Sequence, residues 1–247
     1  MRIKPGIQIG VLLATLAIGT SSLLASFRFT HLTVTDGLSQ SDVRAIVQDR
    51  QGFMWFGTWL GGLNRYDGYT FKVYKHDDQD KGSLGCDRIQ TLYVDRNGVL
   101  WVGTDEGVDR YERATDSFVH YRHRDNDPSS LPGYQARFFY EDDAGSLWVS
   151  SSDGLSRLDR TSGRFITFGG NPGDPTIFRD GSVRPLCLDR TTGLLWVGSG
   201  SLGPCVVDRS TGHFDGGLGQ GSVPFAIPTE GERAKPRRIG RSCRIGL

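Results

Sequence analysis

Four tryptophans, Trp55, Trp101, Trp148 and Trp196, recur at intervals of 46, 47 and 48 residues, and this spacing constrains the fold of the 247-residue chain more than anything else in it. Around them the chain reads DRQGFMWFGT, DRNGVLWVGT, DDAGSLWVSS and DRTTGLLWVGS. Upstream of each lies an alternating apolar segment: VRAIVQD, IQTLYVD, ARFFYED and VRPLCLD. Downstream come GLNRYD, GVDRYE, GLSRLD and GPCVVD, then an aromatic segment, FKVY, FVHY, FITF and HF at Phe214. The step from Tyr74 to Ile89, from Tyr121 to Ala136 and from Phe168 to Val183 is 15 residues each time. A chain that repeats itself in this way builds one supersecondary unit over and over.

Each unit holds four short strands punctuated by turns. Asn97-Gly98 is a hairpin signal, with Gln51-Gly52 and Ala144-Gly145 in the same slot. Glycine, at 34 residues, stands at roughly double ordinary usage without any Gly-X-Y period, as many tight turns require. No segment carries apolar residues at helical spacing over two turns, which excludes a helical solenoid. The expected fold is all-β: β-propeller blades of four antiparallel strands at about 43–74, 89–121, 136–168 and 183–214. Seven such blades would need about 330 residues, so about four make an incomplete, open propeller. Residues 27–32 (FRFTHL) are expected to form an orphan closing strand. In every repeat the tryptophan sits inside an apolar strand, so Trp55, Trp101, Trp148 and Trp196 are read as inter-blade packing and not as sugar platforms.

The pattern D-x-x-G-x-[LM]-W-[VF]-G-T followed by G-[LV]-x-R-[YL]-[DE] resembles the two-component regulator propeller repeat. The resemblance covers residues 27–214, three strong units and a weaker fourth. That fourth unit lacks the arginine carried at Arg65, Arg110 and Arg157, and it inserts a residue before Trp196. The resemblance implies the extracytoplasmic sensor part of hybrid histidine kinase or diguanylate cyclase regulators. No kinase or cyclase signature appears in this chain, so no catalytic residue and no cofactor is expected. The function it implies is a non-catalytic ligand-sensing module of a two-component-type signalling protein. A stand-alone secreted polysaccharide or lactone lyase and a protein-interaction scaffold are the alternatives.

The two ends differ from the repeats. Arg2 and Lys4 precede an uncharged stretch, 5–27, whose apolar centre and small residues read as a signal peptide or an N-terminal membrane anchor over 1–26. The expected location is therefore periplasmic or extracytoplasmic, with any membrane attachment only through this segment. Residues 215–247 read as a glycine-rich then basic irregular tail, the expected mark of a truncated gene product. The net charge of +1 hides this asymmetry, because residues 27–232 hold 21 basic residues against all 28 acidic ones. An acidic body argues against nucleic acid as a partner.

Among candidate sites, the second residue of each first strand, Arg44, Gln90, Arg137 and Arg184, is expected to line the central channel as a ring of basic and amide groups. Such a ring would suit an anionic small molecule or oligosaccharide. Trp59, in the longer turn GTWLGGL, is an expected contact residue on a loop tip. Gly198, Gly200 and Gly203 match a dinucleotide fingerprint but precede a strand, so a hairpin is expected. The acidic loops at Asp77, Asp78, Asp80, Asp125 and Asp127 lack the glycine and distal glutamate of a calcium loop and read as turns. No zinc spacing links Cys86, Cys187, Cys205 and Cys243, and a Cys187–Cys205 bridge requires their strands to be neighbours. No metal site is expected, and open blade edges are expected to favour self-association.

Overall fold

The computed structural model describes residues 29–168, 183–189, 192–200, 203–209 and 214–215. The signal or anchor segment and the basic tail fall outside them. The chain divides into two compact units, residues 1–32 and residues 33–247. In the first, residues 29–32 form no strand and Phe29 is 85% exposed. The described part of the expected closing strand at 27–32 therefore forms no strand by itself, as a segment without ladder hydrogen bonds does not.

The second unit opens with a single 3-10 turn, Val34–Asp36, capped by Thr33. Among the described residues sixteen strands follow as four antiparallel sheets, each in simple 1-2-3-4 order. The first blade is β1 (Val43–Gln48), β2 (Met54–Thr58), β3 (Leu63–Tyr66) and β4 (Phe71–Tyr74). The second is β5 (Ile89–Val94), β6 (Leu100–Thr104), β7 (Gly107–Glu112) and β8 (Ser117–Tyr121), and the third β9 (Ala136–Glu141), β10 (Leu147–Ser151), β11 (Gly154–Asp159) and β12 (Arg164–Phe168). The fourth is β13 (Arg184–Leu188), β14 (Leu194–Ser199), β15 (Gly203–Asp208) and β16 (Phe214–Asp215). The first strands β1, β5, β9 and β13 neighbour one another in chain order, so they form the inner edge of an open propeller.

One local motif builds the first hairpin of each blade. Asp49 Oδ1 accepts from the backbone N–H groups of Gln51 and Phe53, while Gly52 turns at φ +92°. Asp95 with Gly98 and Asp142 with Gly145 repeat the turn. The second carboxylate oxygen then accepts the indole N–H of the tryptophan six residues on, at 3.0 Å for Asp49–Trp55, 2.9 Å for Asp95–Trp101 and 3.1 Å for Asp142–Trp148. The recurrent D-x-x-G…W is therefore one hydrogen-bonded unit that fixes both the turn and the orientation of the core ring.

The core lies between blades. Trp55, Leu63 and Tyr74 of the first pack with Ile89, Leu100 and Tyr111 of the second. Trp101 and Val108 pack with Ala136, Val149 and Phe165, and Trp148 and Phe168 with Val183, Leu195 and Val207. Trp55 and Trp148 have no exposed surface and Trp101 only 2%. Trp196, on the last described blade, is half-buried. The second strand needs a small residue where the next blade crosses it: a Cβ on Gly57 would stand 2.4 Å from Ile89, and one on Gly103 2.5 Å from the Ala136 carbonyl oxygen. In the third blade Ser150 fills this place and donates to the Val183 carbonyl.

The fourth blade is irregular. In the first three, the register slips at Arg44, Gln90 and Arg137, each the extra residue of a bulge. In the fourth the slip moves to Leu186, directly after Pro185, whose missing N–H removes it from the regular ladder. Gly198 pairs opposite Pro204 across the β14–β15 hairpin, so the glycine-rich match is a hairpin. Strand β14 lies between the strands of Cys187 and Cys205. Two inter-strand spacings, about 9.5 Å, exceed disulfide reach, so the condition for that bridge is not met.

Candidate functional site

Arg44, Gln90, Arg137 and Arg184 all stand at the start of an inner strand, on neighbouring blades. Strict alternation does not place the first three. A bulge does, re-aiming one residue per blade at the rim of the inner edge, as bulges beside sites commonly do. Each is held in the fold. Arg44 pairs with Asp42 at 3.0 Å and lies over the Trp59 ring at 4.6 Å, so two of the expected site residues come together. Trp59 itself donates its backbone N–H to the Asp42 carbonyl, and the exposed Leu60 follows it at the turn tip.

Along the same rim Gln90 donates to Asp105, to which Arg88 also pairs at 3.7 Å. Arg137 donates to Gln135 Oε1 at 2.6 Å, and Arg184 lies 4.7 Å over the Phe138 ring. The rim therefore alternates guanidinium and amide groups with ring faces and short acidic partners. This is an arrangement that holds cations open to solvent at fixed positions, where a planar anion can be received edge-on or a sugar ring face-on. The carboxylates of Asp49 and of its counterparts Asp95 and Asp142 are held by other cations.

What occupies them is a set of residues the sequence reading left without a role. Arg113, at the third turn of the second blade, reaches back to Asp49 of the first at 2.7 Å. Arg160 of the third blade grips Asp95 of the second at 2.5 Å, and Arg209 of the fourth grips Asp142 of the third at 3.1 Å. The carboxylates are fully buried and the arginines about a quarter to two-fifths exposed. Burial pushes each aspartate's pKa up, but the indole, guanidinium and backbone donors outweigh it and hold Asp49, Asp95 and Asp142 below the usual carboxylate range. In the first blade the same slot is Gly68.

The connections between blades also repeat. His76 bonds the Leu84 carbonyl and Asp78, and His123 bonds the Leu131 carbonyl and Asp125. Asp77, Asp80 and Asp127 accept from backbone N–H groups two residues on, closing turns. Among the described residues no group of three or more histidine, cysteine or acidic side chains is gathered as a metal would need. His120 Nδ1 lies 2.8 Å from buried Asp109, which also accepts from Arg122 and from the Gly85 N–H. The Asp109 hydrogen bond raises the His120 pKa against the opposing effect of burial.

A family model described as two component regulator propeller matches residues 37–60 and 83–106. Over 74 residues the chain is 43% identical to histidine kinase P4 of Formosa agariphila, a stretch that takes 30% of this chain and 5% of that protein. The extracellular domain of a hybrid two-component system of Bacteroides thetaiotaomicron is similar with a TM-score of 0.56 and 26% identity, over 75% of this chain and 31% of that one. Virginiamycin B lyase from Staphylococcus aureus reaches a TM-score of 0.48 at 13% identity, over 75% of this chain and 57% of the lyase, too distant a likeness to bear on chemistry. The chain thus spans about a twentieth of the curated relative and under a third of the solved domain. Its units at 37–60 and 83–106 match the two-component regulator propeller repeat, and the third and fourth blades share their architecture.

Proposed function

We propose that this chain is a non-catalytic, extracytoplasmic ligand-sensing module of a two-component-type signalling protein, and that its ligand is received at the inner rim formed by Arg44, Trp59, Gln90, Arg137 and Arg184. The observation that carries the proposal is the likeness, at 26% identity, to the extracellular domain of a hybrid two-component system. The rim adds chemistry to that likeness. Guanidinium groups held by a ring face or a short polar partner favour an anionic small molecule or an acidic oligosaccharide, whose carboxylate takes the fork of an arginine and whose ring stacks on Trp59. Nothing in this role asks for acid–base catalysis. The His–carboxylate pairs at His76, His120 and His123 each also hold a backbone carbonyl of a blade connection.

An array of acidic and neutral oligosaccharides, probed with the full chain and with an Arg137→Gln/Arg184→Gln variant, tests the reading. The expected result is binding to acidic members that the double variant loses by tenfold or more. Equal binding by both proteins, or a preference for neutral members, overturns the rim as the site.

A further inference from the structure

A cleft of about 720 Å³ opens between the second and third blades, on their outer strands and away from the inner rim. Its walls include His120, Arg122, Arg124 and Arg164, and its edge carries Asp127 and the hydroxyl of Ser162. Its size falls within the range of pockets that take small organic ligands, about 300–1,000 Å³. We propose that this cleft is a second binding site, for a hydroxylated organic anion bearing a carboxylate or a sulfate.

The charge decides the class of ligand. Arg122 and His120 share the single buried carboxylate of Asp109, and Arg124 has only the distant Asp127, at 3.6 Å. Arg164 is exposed and acts on the same Asp127. Three arginines therefore share two carboxylates, Asp109 and Asp127, and the cleft carries more positive than negative charge. Ser129, Ser162 and Asp127 offer hydrogen bonds to hydroxyl groups, and Val119 and Pro128 offer apolar surface.

The fold does not demand these cations. The junction of the first and second blades is built the same way: the Phe118 N–H donates to the Gly82 carbonyl there, as the Phe165 N–H donates to the Ser129 carbonyl here. The Asp77 backbone N–H donates to the Ser83 hydroxyl as the Arg124 N–H donates to that of Ser130. At that first junction the residue matching Arg124 is Asp77, and the residue matching Arg164 is Ser117. At the earlier junction a Cβ on Gly82 would stand 3.1 Å from that of Ser117. The same backbone bonds thus carry an aspartate and a serine at one junction and two arginines at the next. The difference is in the side chains that face a ligand.

The test transplants the first junction's residues, Arg124→Asp and Arg164→Ser, which the same backbone already accepts. Titration calorimetry of the full chain uses glucuronate, inorganic sulfate and glucose as probes. Glucuronate and sulfate are expected to bind the wild type and glucose not, with each variant weakening both anions at least tenfold while its melting temperature holds. Wild-type affinity in the variants, or glucose binding as well as glucuronate, overturns the proposal. As an independent measurement, glucuronate should shield Arg164 from phenylglyoxal, and unshielded modification overturns it equally. The cleft shares no residue with the inner rim, so Arg137→Gln/Arg184→Gln leaves this binding unchanged whichever way the sensing test falls.

Discussion

Arg160 illustrates what a single side chain contributes here. It satisfies a carboxylate on the preceding blade, Asp95, that has no exposed surface, and it lies 5.8 Å over the Trp101 ring. Arg160→Ala leaves Asp95 with its indole and backbone donors but no cation, and should cost about 2–3 kcal/mol, read as a lower urea midpoint. Arg160→Lys should recover only part of it, since an ammonium cannot also reach Glu141 as the guanidinium fork does, at 3.0 Å. The pH dependence follows from the same groups. Asp49, Asp95 and Asp142 have lowered folded pKa values, so the stability they supply is present above about pH 4 and lost as the pH falls through those values. Asp116 extends the loss to lower pH. Although burial opposes it, Lys72, Tyr111 and Tyr74 bring its pKa down to about 2. His120 has a raised folded pKa, so its contribution is complete below about pH 6.5 and disappears as the pH rises through that raised value. Urea midpoints from pH 3 to pH 9 should therefore fall at both ends, and His120→Gln should reduce the alkaline fall, the rest belonging to His76, whose bond to the Leu84 carbonyl also raises its pKa. The sequence displayed Asp49 and Trp55 as a motif because they act within seven residues. It displayed Arg113 and its counterparts without a purpose, because their partners lie 64 to 67 residues away.

At the scale of the blade, a second strand must be thin where the next blade crosses it. Gly103→Ala would push a methyl group to 2.5 Å from a backbone oxygen of Ala136, which cannot turn aside. It should destabilise by about 1–3 kcal/mol, whereas Gly193→Ala is strained only by its φ of +75° and should cost less. Calorimetric melting of the two variants compares them directly. The tryptophans grade in the same way. Trp148→Ala should cost about 3–5 kcal/mol, and Trp196→Ala clearly less, because Trp196 is already half-buried. Strand order and the place of each tryptophan were legible from the spacing, because every blade repeats them. The bulges were not. A bulge is a relation between two strands, and Arg44 in VRAIVQ looks like an ordinary alternating residue until its partner across the ladder, Gly57 or Thr58, is known. Pro185 was the one visible sign that the fourth blade's bulge would move.

For the whole molecule, the first blade leaves one sheet face without a covering blade among the described residues. Ile46 is 58% exposed and Val73 38%, in the same cross-strand row as Phe56 and Asn64. Apolar surface of this kind favours association, so sedimentation should show concentration-dependent oligomers that Ile46→Lys reduces. A monomer at all concentrations would contradict this. The open architecture was legible from the number of repeats, while the cleft between the second and third blades was not, because it depends on Arg124 and Arg164 meeting across a junction. The arginine contacts to the three buried turn carboxylates run one way: Arg113, Arg160 and Arg209 each belong to the blade after Asp49, Asp95 and Asp142. During synthesis, each of these carboxylates therefore emerges from the ribosome before the arginine that pairs with it. Folding becomes a directional relay in which Asp49 waits 64 residues for Arg113. Pulse proteolysis of ribosome-stalled chains should find the first blade protected only once the chain has grown past the second blade's third turn.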